Sequence, residues 1–107
     1  MDIVYASLHR RHPADPAPPG EAAEVLGVLW AHARPDDGLQ HASVRILDDR
    51  VDLLLYLLTR APDTAGASLA PCRVHGLIAR SHRASPLLHR RYLPPAPAPT
   101  AGNPALG

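Results

Sequence analysis

HASVRILDDRVDLLLYLLT, residues 41–59, sets two runs of alternating apolar residues on either side of an Asp-Asp pair. Successive side chains of a strand point to opposite faces, so the pattern is that of a β-hairpin. With Asp48 and Asp49 as the two central turn residues, Ile46 stands opposite Val51, Arg45 opposite Asp52 and Val44 opposite Leu53. Ala42, Val44, Ile46, Val51, Leu53, Leu55 and Leu57 then share a wholly apolar face. His41, Ser43, Arg45, Asp52, Leu54 and Tyr56 share the other. A three-residue turn sets Ile46 against Asp52 and mixes the faces, because a slip of one residue turns every side chain over. The two-residue turn is therefore expected, although Asp-Asp lacks the glycine that primed turns favour and relies on the tolerance of Asp for positive φ.

Outward from the hairpin, residues 2–9 alternate as a first strand, with Val4, Ala6 and Leu8 on the core side and Ile3, Tyr5, Ser7 and His9 on the other. Residues 10–20, RRHPADPAPPG, carry four prolines and form an irregular connection. Residues 21–33 are a helix. Glu21 and Glu24 lie in its first turn, where the macrodipole favours anions, and Ala22, Val25, Leu26, Leu29 and Ala33 form its apolar stripe. Trp30 belongs at the edge of the core, and Pro35 stops the helix. A second helix is expected over residues 63–82, where Ala67, Ala70, Val74, Leu77, Ile78 and Ser81 repeat at helical spacing. Pro71 demands a kink there, or a later start capped by Ser68; a strand over residues 72–79 is the competing assignment. Ser85-Pro86 opens either a short helix over residues 87–92 or, in LHRRYL, a short last strand. Residues 94–107, PPAPAPTAGNPALG, form a disordered tail, leaving a single domain over residues 1–93.

Strand, helix, strand, strand, helix is the order of a two-layer ferredoxin-like α+β unit, an antiparallel sheet with helices on one face. The run from Asp52 to Leu58, DLLLYLL, is followed by Ala61-Pro62-Asp63 and an Ala-rich segment containing a cysteine. It resembles small uncharacterised actinobacterial proteins of this topology over about half the chain. The resemblance implies a fold and no activity, because one fold hosts unrelated functions.

The chain has 107 residues, no Phe, one Trp and 13 prolines, so its core is thin and built of Leu, Val, Ile and Ala. Every basic residue is Arg, a bias that GC-rich coding explains without invoking a phosphate ligand. Residues 1–59 hold five Arg against nine acids, net −4, and residues 60–107 hold six Arg against Asp63, net +5. Such asymmetry marks an anion-binding half or lets two halves, or two subunits, attract each other. Cys72 is the only cysteine, which excludes an internal disulfide and suits a reducing compartment. The N-terminus does not have the pattern of a secretory signal, and no apolar run approaches the roughly 20 residues of a membrane span. A cytoplasmic protein is expected.

Few residues point to chemistry. Seven histidines occur, but HxxxH, CxxC and HExxH do not, and His75, His82 and His89 stand seven apart, too far for one ion on one helix. No metal and no cofactor are expected. Cys72 and His75 share a helix face, yet a lone cysteine among Leu, Val and Ile is ordinarily a small buried hydrophobe. Arg73, Arg80, Arg83, Arg90 and Arg91 make the C-terminal part a candidate anion-binding surface, on which nucleic-acid binding is an alternative function, although the aromatic interleaving that nucleic-acid readers carry is missing. Tyr5, His9, His41, Arg45 and Asp52 line a candidate pocket if the first and third strands pair, which suits a cofactor-less oxygenase or cyclase of the dimeric α+β barrel type. The plainer account pairs Arg45 with Asp52 across the strands and stacks His41 on Tyr56. Leu39, Leu54, Tyr56 and Leu58 form the candidate interface, opposite the helices. The expectation is a non-enzymatic protein-binding module acting through its open sheet face, most simply as a homodimer.

Overall fold

The computed structural model describes residues 1–59 and 70–95. Strands β1 (Asp2–His9), β2 (Leu39–Ile46) and β3 (Arg50–Leu57) form one antiparallel sheet in the order β1-β3-β2. Helices α1 (Glu21–His32), α2 (Ala70–Ala84) and α3 (Pro86–Arg91) complete an α+β architecture, with a single 3-10 turn at Pro35–Asp37 leading into β2. The hairpin has the register that its faces demand: Ile46 opposite Val51, Arg45 opposite Asp52, Val44 opposite Leu53. Leu47 N–H closes the turn onto Arg50 carbonyl at 2.9 Å. Among the described residues none other than glycine has positive φ, so Asp48 and Asp49 do not use the left-handed region that a primed turn needs.

The apolar face of the sheet meets the helices. Leu8, Val51, Leu53, Leu55 and Leu57 are buried against Val25 and Leu29 of α1 and Val74, Leu77 and Ile78 of α2. Leu88 of α3 and Tyr92 enter the same core, with Leu87 packed against its margin. Strand β3, flanked on both sides, alternates strictly between half-buried and buried positions. It is the central strand because every second residue from Val51 to Leu57 can be buried at once.

Several expectations change. Leu39 does not join the open face. The register shifts between Leu39 and His41, Gln40 is the extra residue, and the bulge returns Leu39 to the core opposite Leu57. Helix α2 is described only from Ala70. Pro71 lies within the helix as described, and the competing strand over residues 72–79 is overturned. The proposed earlier start and the Ser68 cap fall outside the described residues, as does the tail from residue 96. After it, Ser85 caps α3 by accepting from Leu88 N–H at 3.2 Å, so the helix wins over the strand at residues 86–91. Trp30 is exposed rather than at the core's edge, and Cys72 is exposed rather than buried.

Candidate functional site: the bare face of the sheet

The sheet face turned away from the helices is built in rows. Pairing across the three strands sets Ile3, Tyr56 and His41 in one row, Tyr5, Leu54 and Ser43 in the next, and Ser7, Asp52 and Arg45 in a third. The first two rows are aromatic and aliphatic. Tyr5 is 78% exposed and Ile3 58%, and Leu58, just past β3, is exposed as well. His41 lies against Tyr56 with ring centroids 5.4 Å apart and planes tilted by 58°.

The third row is polar, and two of its members, Ser7 and Asp52, are matched to each other. Asp52 accepts from Ser7 Oγ at 2.8 Å and from Arg50 Nε at 2.9 Å. The Ser7 hydroxyl first, joined by Arg50 and the charge of Arg45, outweighs the opposing effect of burial and holds the Asp52 carboxyl below the usual carboxylate range. Asp52 thus spends itself on Ser7 and Arg50, and Arg45, its partner in register, remains exposed beside it. Tyr5, Ser43, Arg45, Asp52 and Leu54 line a shallow depression here. Of the five residues expected to form a pocket, Tyr5, Arg45 and Asp52 come together. His41 is occupied by Tyr56 two rows from Arg45, and His9 stands opposite Arg50 at the far end of the face. The two histidines do not share a site.

The basic C-terminal part is not an open row of guanidinium groups. Arg73 donates to the carbonyls of Asp37 and Leu58 at 3.1 and 3.2 Å and lies 3.7 Å from the Asp2 carboxylate. Arg80 pairs with Asp37 at 2.6 Å and donates to the His32 carbonyl, and Arg91 pairs with Glu24 at 2.8 Å. Only Arg83 and Arg90 of the five stand exposed. Each pair joins an Arg after residue 60 to an acid before it, so the uneven charge holds the chain to itself. Among the described residues no group of three His, Cys, Asp or Glu is placed to hold a metal ion. His82 is buried, its Nε2 donating to the Tyr92 carbonyl at 2.9 Å, the only role a carbonyl partner allows that nitrogen.

One polar cluster has no counterpart among the expected sites. Arg10, just past β1, makes a two-pronged pair with Glu21 in the first turn of α1, Nη1 to Oε2 at 2.5 Å and Nη2 to Oε1 at 2.8 Å. Its Nη2 also donates to the Leu47 carbonyl at 3.0 Å, and Tyr92 Oη donates to Glu21 Oε2. Arg10 is 8% exposed, Glu21 2% and Tyr92 0%. Burial alone pushes the Glu21 carboxyl up, but Arg10 and the Tyr92 hydroxyl together bring it below its ordinary value. Burial and the adjacent Glu21 raise the Tyr92 phenol. Every strong donor and acceptor is matched and solvent is shut out, so the cluster is a clasp rather than a reaction site. No family model, curated protein or solved structure matches this chain.

Proposed function

We propose that the protein is a non-enzymatic binding module of ferredoxin-like topology that docks another polypeptide on the bare face of its sheet. One observation carries this reading: Ile3, Tyr5, Leu54 and Tyr56 occupy two adjacent rows with no helix over them among the described residues, and Tyr5 is 78% exposed. Apolar patches of a few hundred Å² on soluble proteins mark interaction surfaces, and covering such side chains yields about 25 cal/mol per Å². The polar row beside them supplies a rim with Arg45 free to meet an acidic or carbonyl group of the partner. Ferredoxin-like topology is supported by the order β1-β3-β2 and by the antiparallel bridge of Tyr92 to Arg10, at the side of β1 where a fourth strand belongs. Among the described residues no helix is long and apolar enough to cross a membrane; the lone cysteine suits the cytoplasm.

The chain's three tyrosines provide the test. Nitration of the purified, dilute protein modifies Tyr5 readily and leaves Tyr92 untouched. In the protein's own cells Tyr5 and Tyr56 are protected by the partner, with Tyr92 as the internal standard. Equal modification of Tyr5 in both settings rejects the docking role. The depression at Tyr5, Ser43, Arg45 and Asp52 favours a second reading, in which two sheet faces enclose a small molecule with Arg45 as its anion anchor, as in dimeric α+β barrel enzymes. A small molecule retained in native mass spectra and lost with Arg45→Ala selects that reading.

A further inference from the structure

The two edges of the sheet are built differently. Strand β2 breaks its edge with the bulge at Gln40 and carries exposed His41 and Arg45, both devices that keep edges from pairing. Strand β1 has neither device. From Ile3 to Leu8 it reads IVYASL, without charge, proline or bulge, in unbroken register with β3. Arg10 N–H bonds inward to Asp49 carbonyl at 3.0 Å, so even-numbered residues face β3. Leu93 N–H donates to His9 carbonyl at 2.8 Å and Arg11 N–H to Arg91 carbonyl at 3.0 Å, so odd-numbered residues face outward. Backbone groups of Ile3, Tyr5 and Ser7 therefore point off the edge, with no backbone partner among the described residues.

In the register of the Arg10–Tyr92 bridge, the sequence that follows lacks the N–H groups that a ladder along this edge requires. The bridge of Arg10 to Tyr92 fixes the register, in which residues 95, 97 and 99 would stand opposite Ser7, Tyr5 and Ile3. All three are proline. Each lacks the N–H that its place in such a ladder requires, so in that register the carbonyls of Ser7, Tyr5 and Ile3 would gain no donor.

We infer that a second copy of this chain occupies this edge, β1 pairing antiparallel with β1 about a two-fold axis at Tyr5 to give one continuous six-stranded sheet. The strand is suited to its own copy. Tyr5 meets the partner's Tyr5, and Ile3 meets the partner's Ser7, which satisfies every outward group between Ile3 and Ser7 and stops short of His9, whose carbonyl is already taken. On the helix side Val4, partly buried, meets the partner's Ala6. No charge is brought against its like, because the paired stretch has none. The association does not rest on the docking role of the sheet face, but it would double that face and set the two Tyr5 rings side by side on it.

The test is sedimentation of the full chain over a range of concentrations, with three variants. Tyr5→Pro removes only an outward N–H and the ring; Tyr5→Thr removes the ring and keeps the N–H; Ala6→Pro removes an inward N–H and checks the assignment of sides by unfolding the protein. The wild type and Tyr5→Thr form dimers. Tyr5→Pro raises the dimer dissociation constant about a hundredfold or more, because each copy loses a donor and strands the carbonyl facing it. Hydrogen exchange reads the same contact without mutation: the amides of Tyr5 and Ser7 are protected in the dimer and lose protection on dilution. A wild type that stays monomeric with fast-exchanging Tyr5 and Ser7 amides overturns the inference. So does equal weakening by Tyr5→Thr and Tyr5→Pro, which assigns the association to the face rather than the edge.

Discussion

Arg10, Glu21 and Tyr92 come from the end of a strand, the start of a helix and the last stretch of described chain, yet they close over one another at the base of the core. A buried ion pair is weak evidence of stability in itself, but breaking one from one side is costly. Glu21→Gln leaves the Arg10 cation buried without its counter-charge and is expected to lower unfolding stability by about 3–5 kcal/mol in urea melts. Replacing all three polar partners with apolar residues of similar size (Arg10→Met, Glu21→Leu, Tyr92→Phe) should recover most of that loss. The pH dependence follows from the same contacts. Glu21 titrates lower in the folded chain than its ordinary 4.5, so its contribution is complete above that pH and is lost as pH falls through the lowered value. Tyr92 titrates above its ordinary 10.0, so its contribution holds below that pH and is lost as pH rises toward the raised value. Urea midpoints should therefore fall on both sides, with the acid limb reduced in Glu21→Gln. None of this was legible in the sequence. Glu21 had an adequate reason to exist in the first turn of a helix, Arg10 fell at the margin of a proline-rich loop, and nothing in pattern or spacing joins residues 11 and 71 positions apart.

At the level of elements the hairpin was readable because two independent constraints, an unmixed apolar face and a two-residue turn, agree on a single register. The structure has that register at every pair from His41 to Ile46. The reading failed at Leu39, where strict alternation was carried through Gln40, the residue a bulge leaves unpaired. Bulges arise from tertiary fit at the strand end and leave no mark in period-two patterning. Burial also separates two positions that the pattern treats alike. Leu53 is fully enclosed in the central strand, whereas Val44 lies half-buried toward the free edge of β2. Leu53→Asp buries an unpaired carboxylate at a cost of several kcal/mol, comparable with the whole stability of a small domain, and should abolish the cooperative melt. Val44→Asp keeps its carboxylate near water and should remain folded, with a loss within the usual ~0.5–3 kcal/mol of single substitutions. Circular dichroism melts of the two variants side by side distinguish a graded inner face from a uniform one.

Across the whole molecule the acidic N-terminal and basic C-terminal parts are matched to each other, Asp2 with Arg73, Glu24 with Arg91 and Asp37 with Arg80. The sequence showed the imbalance without showing its address, since net charge does not distinguish an internal partner from an external one. The same holds for the last segment. Leu88 and Tyr92 are fully buried on the helix side and Leu87 packs against that core, so they do not fold back over the open sheet face. The segment is thus part of the fold's interior, and no described residue outside the strands covers the sheet face in its place. A chain ending at Ala84 loses both buried side chains, the bridge to Arg10 and the Tyr92 hydroxyl on Glu21. Each large apolar side chain removed from a core costs about 2–5 kcal/mol, so the sum exceeds what a domain of this size holds in reserve. A chain ending at Pro95 keeps all of these contacts. The first should show no cooperative thermal transition and should aggregate in light scattering, while the second should melt with the full-length protein; a folded Ala84 chain would show that α3 and Tyr92 are attached to the core without supporting it.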